Sequence, residues 1–327
     1  MTLEDMCKNK FRELVENGEN HSVTEEIPSI LTVKTANECI SDAMKVSLPQ
    51  QLWSSLWYEG ELCCLFADSN VGKSIYAVQM ANEIAKTHSV IYFDFELSEK
   101  QFQMRYTDDK GVGYVFPDNL HRAEVNPDNI SSENFEEDIL NAIIDAMEKY
   151  SANVLIIDNI TFLNALTEHA DAASRLMIAL CQIKRNYGVS ILILAHTPKR
   201  LLSSPITQND LAGSKRLFNF FDSVFAIGKS AIGEEIRYIK QLKSRSSSID
   251  YGANSVITAQ IVKEGAYLCL SHQDMTTESA HLSEKKSEND DLKEEALRLV
   301  NEEHLSIRKA AEQLGVSKST VGRWVNN

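Results

Sequence analysis

Three consecutive segments between residues 61 and 81 constrain the fold of this chain more than any other part of it. The apolar run 61–66 has the character of a buried strand, the loop ADSNVGKS follows at 67–74, and a helical pattern continues to residue 81. The loop fits the spacing G-x-x-x-x-G-K-[ST], with alanine at the first glycine position. A strand, loop and helix in this order point backbone N–H groups and the positive end of the helix dipole at one place. The sequence therefore predicts a cradle for the phosphates of a nucleoside triphosphate; a polar strand-to-helix turn is the alternative.

The residues of this loop have distinct expected tasks. Lys73 is expected to reach the β- and γ-phosphates, and the Ser74 hydroxyl to bind a Mg²⁺ ion. The backbone of the other residues lines the cradle: Ala67, Asp68, Ser69, Asn70, Val71 and Gly72. ATP and Mg²⁺ are the cofactors that this prediction implies.

Composition excludes several classes of protein. A hydrophobic content of 43% over 327 residues is enough for a sizeable core, and it excludes global disorder. The net charge of −14 argues against a basic coat that binds nucleic acid, although a local basic groove is compatible with it. The six cysteines show no metal-binding spacing, and no leader peptide or membrane helix is evident. We expect a soluble, cytoplasmic protein that does not contact the membrane.

Changes of composition along the chain suggest four parts. Residues 1–48 are a polar N-terminal arm, 49–270 a large α/β domain, 271–291 a flexible linker, and 292–327 a small helical domain. The aromatic segment 49–58 is expected to pack against the main domain or a neighbouring subunit, with base stacking as the alternative.

Short apolar runs alternate with helical patterns in the large domain, which indicates a mostly parallel α/β sheet. The expected strands are 61–66, 89–95, 153–157, 190–195 and 223–227, the expected helices are 73–86, 132–150 and 170–187, and antiparallel strands are expected at 235–240, 255–262 and 266–270.

Polar residues end three of the expected parallel strands. Asp158 ends an apolar strand about eighty residues after the loop, where a carboxylate can hold the water shell of the metal. Glu96 follows another strand and is the candidate base for the attacking water, with a helix-capping acid as the alternative. His196 ends a third strand and is a candidate sensor of the γ-phosphate, although a structural role is equally compatible with the sequence.

Two basic segments lie downstream. The long loop 197–216 contains two basic pairs that could contact a nucleic-acid backbone: Lys199, Arg200, Lys215 and Arg216. The segment KQLKSR at 240–245 contains Lys243 and Arg245, which are candidates for stabilising the transition state at the site of a neighbouring subunit. The alternative for this segment is a solvated basic strand end.

The chain resembles the RecA-type ATPases, and among them the RepA-like hexameric helicases near the DnaB helicases. The resemblance rests on ADSNVGKS at 67–74, YFDFELS at 92–98, VLIIDNI at 154–160, LILAHTPKR at 192–200, NDLAGSKRLFNFFDSVFAI at 209–227 and KQLKSR at 240–245. It implies a RecA-like core with Glu96 as catalytic base on the strand next to the loop strand. It also implies a homo-oligomer, such as a hexamer, with ATP between subunits and a central loop that binds single-stranded DNA. His196 departs from the glutamine that DnaB-like proteins often carry.

The C-terminal residues 306–324 have the pattern of a helix-turn-helix. Apolar residues at 307, 310, 311 and 314 form one face of a first helix, Gly315 makes the turn, and Ser317 caps a second helix. The segment resembles the DNA-binding ends of invertases and resolvases, and its alternative is a protein-interaction domain. The residues expected to face duplex DNA are Ser317, Lys318, Ser319, Thr320 and Arg323.

Three functions fit these features. The first is an ATP-driven helicase or translocase in replication or mobilisation of DNA. The second is an ATP-switched DNA-binding regulator, or an accessory factor in mobilisation or recombination, without unwinding activity. The third is a small-molecule kinase, which the DNA-reading tail disfavours.

Overall fold

The computed structural model describes residues 31–125, 135–159, 172–197, 200–211, 215–283, 288–301 and 305–325. The chain divides into two compact units, residues 1–48 and 49–327. In the first unit, helix α1 (Ala36–Ala43) begins at a capping box in which the side chains of Thr35 and Glu38 each accept a hydrogen bond from the other residue's N–H. Two donors at the helix start are satisfied in this way.

Nine strands of the second unit form one sheet. The bounds of the six parallel strands are β3 (Leu62–Ala67), β4 (Val90–Asp94), β5 (Leu120–Ala123), β6 (Val154–Asp158), β7 (Ser190–His196) and β8 (Ser223–Lys229). Three antiparallel strands extend it: β9 (Ile236–Lys243), β10 (Val256–Glu264) and β11 (Tyr267–Thr276). The order across the sheet is β11-β10-β9-β8-β3-β7-β6-β4-β5.

Helices cover both faces of this sheet. They are α2 (Lys73–Ile84), α3 (Glu99–Arg105), α4 (Phe135–Lys149), α5 (Ala172–Tyr187) and α6 (Lys215–Phe220). Leu155 and Ile157 of β6 pack with residues of α4 and α5 on one face, while Ile156 packs with residues of α2 on the other. Strands that are buried on both faces are apolar throughout, which explains the continuous runs in the sequence. In the described part of the chain, no helix has the length and apolar character needed to cross a membrane.

The aromatic segment after residue 49 forms a small hairpin of β1 (Gln51–Trp53) and β2 (Trp57–Tyr58). Trp57 is fully buried in the main core, and the indole Nε1 of Trp53 donates a 2.7 Å hydrogen bond to the Tyr76 hydroxyl on α2. The expectation that this segment packs against the main domain is confirmed.

The expected linker at 271–291 is wrong for most of its length. Strand β11 continues to Thr276, and a 3-10 turn follows at Glu278–His281. The polar side chains of this turn are buried because they find partners: Glu278 forms a 2.5 Å ion pair with Lys240, and His281 hydrogen-bonds Ser230 and Thr276. The large domain therefore extends beyond residue 270. Its last segment has the polar composition of a linker, but the polar side chains are buried in pairs.

The C-terminal part contains α7 (Glu288–Asn301), α8 (Ile307–Gln313) and α9 (Lys318–Val325). Their shared core is formed by Ala296, Leu299, Ala310, Ala311 and Val321. As expected, Gly315 has a left-handed φ of 65°, and the Ser317 hydroxyl accepts a hydrogen bond from the Thr320 N–H at 3.1 Å. The predicted α/β class, with a parallel central sheet and a small helical C-terminal domain, is confirmed.

Candidate active site

The carboxyl ends of four parallel strands meet at one edge of the sheet. Lys73 follows β3, Glu96 follows β4, Asp158 ends β6 and His196 ends β7. A cleft of about 540 Å³ opens there, and its walls include Glu96, His196 and residues 69–75 of the loop. One expectation needs correction: β4 is the next strand along the chain after β3, but β7 and β6 lie between them in the sheet. Glu96 reaches the cleft because the turn after β4 brings it back toward the loop.

The backbone of the phosphate loop explains its departure from the usual glycine pattern. Ala67 is the last residue of β3 and lacks a left-handed φ, so an alanine side chain is accepted there without strain. Gly72 has a φ of 106° immediately before α2, and Asn70 has a φ of 59°. The glycine that this backbone requires is therefore Gly72, which favours close approach of backbone N–H groups to a ligand.

The Lys73 ammonium group lies on the loop itself. Its Nζ donates to the carbonyl oxygens of Ala67 at 3.1 Å and Asp68 at 3.0 Å, and it lies 3.1 Å from Nδ1 of His196. Burial lowers the pKa of Lys73, while the charges of Asp158, Glu96 and Asp68 act in the opposite direction. The ammonium group is thus held at the floor of the cleft beside three acids.

A chain of polar contacts joins Lys73 to Glu96 through His196. His196 Nε2 lies 3.2 Å from Glu96 Oε1 and 3.0 Å from the Asn159 amide nitrogen, which also contacts Glu96. A neutral ring protonated on Nε2 accepts from Lys73 at Nδ1 and donates to Glu96, and the Asn159 amide then donates to Glu96 rather than to the ring. The sequence analysis did not identify Asn159 as a site residue. The only signal that could have found it is its position directly after Asp158, the last residue of β6.

Asp158 has the environment of a metal-site carboxylate. The Tyr92 hydroxyl donates to its Oδ2 at 2.5 Å, whereas its buried Oδ1 has no hydrogen-bond partner among the described residues. Burial raises the pKa of Asp158 to about 6, against hydrogen bonds from Ser74 and Tyr92 that lower it. An orphaned carboxylate oxygen beside a serine hydroxyl is a set of hard oxygen donors, which fits Mg²⁺.

Two residues that the sequence did not mark hold the turn that carries Glu96. The carboxylate of Asp94 accepts hydrogen bonds from the backbone N–H groups of Glu96 at 3.2 Å and Leu97 at 2.9 Å. Arg122 of β5 donates to the other oxygen of Asp94 at 2.9 Å and to the Leu97 carbonyl oxygen at 2.5 Å. Glu96 therefore projects from a turn that an ion pair rigidifies.

The described residues 200–211 of the expected nucleic-acid loop contain a 3-10 turn at Gln208–Asp210, and α6 begins at Lys215. The Arg200 side chain is only 15% exposed and pairs with Asp210 at 3.1 Å, so a DNA contact by Arg200 requires this ion pair to open. Lys199 lies outside the described residues, as do the side chains of Lys215 and Arg216.

Lys243 and Arg245 lie at the opposite end of the sheet from the cleft. Arg245 forms a 3.0 Å ion pair with Asp222, whose other carboxylate oxygen accepts from the N–H of Leu62, the first residue of β3. Lys243 donates to the Phe218 carbonyl oxygen at 3.1 Å. The six residues of β3 separate this end from the phosphate loop by roughly 20 Å. These cations can therefore serve a nucleotide only at another subunit.

The expected DNA-reading residues form an exposed surface of the C-terminal domain. Ser317, Lys318, Ser319 and Arg323 are at least partly exposed, and Thr320 is half-buried with its hydroxyl 2.7 Å from that of Ser317. Val321 of the same helix, α9, is fully buried.

Comparisons with known protein families match two segments of the chain. The family described as an AAA domain matches residues 34–200, and the family described as a homeodomain-like domain matches residues 287–327. No curated protein matches the chain. Among solved structures, a KaiC-like protein from the hyperthermophilic archaeon Pyrococcus horikoshii OT3 is 14% identical, with a TM-score of 0.48, over 65% of this chain and 90% of that one.

Proposed function

The chain belongs to the AAA-domain family, and from this premise we propose that it hydrolyses ATP with Mg²⁺ and acts on DNA. The observation that carries the proposal is a cleft lined by Lys73, Glu96 and a glycine-bearing loop, with the charge of the buried Asp158 carboxylate acting on Lys73. The test is phosphate release from ATP by the purified protein, which should be lost in the Lys73→Ala variant.

The residues of the cleft divide the chemistry among them. Ser74 and Asp158 would hold the Mg²⁺ ion, which would supply positive charge to neutralise the phosphates. Lys73 leaves the carbonyl oxygens of Ala67 and Asp68 and turns to the β- and γ-phosphates. Glu96 orients the attacking water and accepts its proton.

His196 links phosphate binding to the position of the base. When Lys73 turns to the phosphates, its contact with His196 Nδ1 is lost, and His196 is free to turn from Glu96 toward the γ-phosphate. The imidazole thus senses the nucleotide and reports its state to the loop that follows β7.

We further propose a homo-oligomer of the RepA-like helicase branch, such as a hexamer, that moves on single-stranded DNA. The position of Lys243 and Arg245 at the far end of the sheet supports it, because a head-to-tail ring brings that end to the cleft of a neighbour. The basic residues at 199, 200, 215 and 216 contact the strand in this proposal, and the C-terminal domain recruits the motor to duplex DNA.

Strand displacement and stimulation of ATP hydrolysis by single-stranded DNA test the motor. A motor gives both, and the Lys73→Ala variant gives neither. Hydrolysis that single-stranded DNA leaves unchanged, with no displaced strand, contradicts it.

A second candidate function is an ATP-switched DNA-binding regulator, and a particular set of contacts favours it. The loop after His196 packs on the 3-10 turn that precedes the C-terminal domain. The Ile206 N–H donates to Glu278 at 2.7 Å, Lys240 donates to the Ile206 carbonyl oxygen at 2.7 Å, and the Ser283 N–H donates to the Leu202 carbonyl oxygen at 3.2 Å. The nucleotide state therefore has a short path to Ser283, which precedes the C-terminal domain in the sequence.

The effect of nucleotide on duplex-DNA affinity separates this candidate from the motor. A switch gives different dissociation constants in ATP and ADP, and Glu278→Gln removes the difference while ATP hydrolysis continues. The matched control is Glu295→Gln on the exposed face of α7. Equal affinities in both nucleotides rule out the switch.

A further inference from the structure

The antiparallel hairpin of β10 and β11 packs directly against the phosphate loop. A Cβ atom placed on Gly72 would lie 3.4 Å from Cδ1 of Ile261 and 3.5 Å from Cδ1 of Leu270. The side-chain amide of Gln79 on α2 also exchanges two hydrogen bonds with the backbone of Leu270, at 2.9 and 3.1 Å. The loop and the helix after it are thus supported by strands outside the parallel sheet.

Arg237 of β9 reaches the loop itself. Its Nε donates to the Val71 carbonyl oxygen at 2.8 Å, and its NH1 donates to the carbonyl oxygens of Glu234 at 2.5 Å and Ile236 at 2.8 Å. The residue is 7% exposed, and no carboxylate in the described part of the chain forms an ion pair with it. A buried cation that is hydrogen-bonded only to carbonyl oxygens is costly for the protein, and burial lowers the pKa of Arg237 while the charge of Glu235 acts in the opposite direction.

The contact with Val71 determines which way one peptide of the cradle points. A trans peptide is planar, with its C=O and N–H directed to opposite sides. Since Arg237 holds the Val71 carbonyl oxygen on the side of β9, the N–H of Gly72 is directed to the other side. Val71 and Gly72 both line the cleft, whereas Arg237 is not part of its walls.

We propose that Arg237 is a positioning residue for the triphosphate of the nucleotide. It holds the Val71–Gly72 peptide with the N–H toward the phosphates and keeps the carbonyl oxygen, which would repel them, away. Its unpaired charge behind the loop further favours an anion in the cradle. This role rests on the proposed function, since it requires that the cleft binds ATP.

Equilibrium binding of ATP with Mg²⁺, and separately of inorganic tripolyphosphate, tests the proposal on the full chain. Arg237→Met is expected to raise both dissociation constants about tenfold or more, the size of a lost hydrogen bond to a charged group. Arg237→Lys keeps the charge and one donor and is expected to fall between Arg237→Met and the wild type. Turnover at saturating ATP should fall less than affinity, because the residue acts on the loop before chemistry.

Lys263→Met is the control, since it also removes a cation from the antiparallel strands, and the Lys263 ammonium group donates to the Met104 carbonyl oxygen rather than to the phosphate loop. It is expected to bind ATP as the wild type does. Wild-type affinity in Arg237→Met overturns the proposal, and so does an equal loss of affinity in Lys263→Met. If Arg237→Met does not fold, Arg237→Lys decides in the same way. A wild-type protein that binds no ATP contradicts the proposed function instead, and Lys73→Ala gives the reference for that outcome.

Discussion

The parallel and antiparallel halves of the sheet contribute differently to the candidate site. Strands β3, β4, β6 and β7 end at the cleft and carry the side chains proposed to touch ATP or Mg²⁺. Strands β9, β10 and β11 carry none of these residues, yet they support Val71 and Gly72, and Ile261 of β10 also lines the cleft. The sequence motifs contain the groups that are proposed to touch the ligand, whereas the groups that hold them in place lie outside the motifs.

If the two halves of the sheet contribute in this way, substitutions at the ends of the parallel strands remove turnover, and substitutions in the antiparallel half change affinity or assembly. The exceptions are Lys243 and Arg245, which follow from the proposed oligomer.

The largest effect is expected for Lys73→Ala. The ammonium group is the cation at the floor of the cleft, and its loss should lower ATP turnover by at least about 1,000-fold. Phosphate release measures it. Lys86→Ala removes an exposed lysine just beyond the same helix and should leave turnover unchanged. Turnover in Lys73→Ala close to that of the control would mean that the cleft is not the site of hydrolysis.

Arg245→Ala is expected to lower turnover by about 1,000-fold while ATP affinity stays as in the wild type. A residue roughly 20 Å from its own cleft can have this effect only at a neighbour's site. An equal mixture with Lys73→Ala subunits should restore about a quarter of wild-type turnover, because that fraction of interfaces joins an intact cleft to an intact arginine. A mixture that stays inactive, or a chain that stays monomeric with ATP and DNA, would contradict action between subunits.

Glu96→Gln is expected to lower turnover by about 100-fold with little change in ATP affinity, because an amide cannot accept the proton of the attacking water. The isosteric side chain keeps its contacts with Asn159 and His196. Glu99→Gln, in the first turn of α3, is the control. Equal turnover in the two variants would assign Glu96 to the capping role that the sequence also allowed.

The sequence was sufficient for five of the six parallel strands because each of the five has a local cause, whereas the short, half-buried β5 and the helices α3 and α6 were not expected. Buried strands are continuous apolar runs, and the loop, Glu96, Asp158 and His196 each follow one of them directly. It did not reveal that β7 and β6 separate β4 from β3, because sheet order depends on long-range pairing.

The contributions of Arg237, Arg122 and Asn159 could not be predicted for a related reason. Each acts through a contact with a residue distant in the sequence, such as Arg237 with Val71, and no spacing marks such a pair. The polar stretch after residue 270 was misinterpreted for the same reason. Glu278 and His281 are buried because they pair with Lys240 and Ser230, which are distant in the sequence. Composition alone therefore predicted a linker where the structure has a buried turn.

Asp158→Asn tests the cost of a buried carboxylate. The pKa of Asp158 in the folded protein is about 6, above the ordinary value of 3.8. The protonated carboxyl group therefore stabilises the fold fully below pH 3.8, and this contribution is lost as the pH rises through 6. In nucleotide-free protein without Mg²⁺, Asp158→Asn should therefore melt on the order of 5 °C above the wild type at pH 8, with the difference disappearing near pH 4. Asp108→Asn, on an exposed turn, is the control. A difference that is the same at both pH values would exclude ionisation of Asp158 as its cause.

Tyr92→Phe should have the smallest effect and tests the comparison most closely, because Tyr92 lies in the parallel half but is unmarked by any motif. Its hydroxyl donates to Asp158 and lowers the pKa of that carboxyl. The melting difference that Asp158→Asn produces should therefore have its pH midpoint above 6 when it is measured in the Tyr92→Phe protein. ATP affinity should fall about fivefold, as for one hydrogen bond.

A midpoint that does not move would show that Tyr92 only packs against Asp158. A midpoint that does move would place Tyr92 beside Arg237 as a residue that holds a ligand-binding group. The residues would then be grouped by whether they touch the ligand or hold the groups that touch it, and not by the half of the sheet in which they lie.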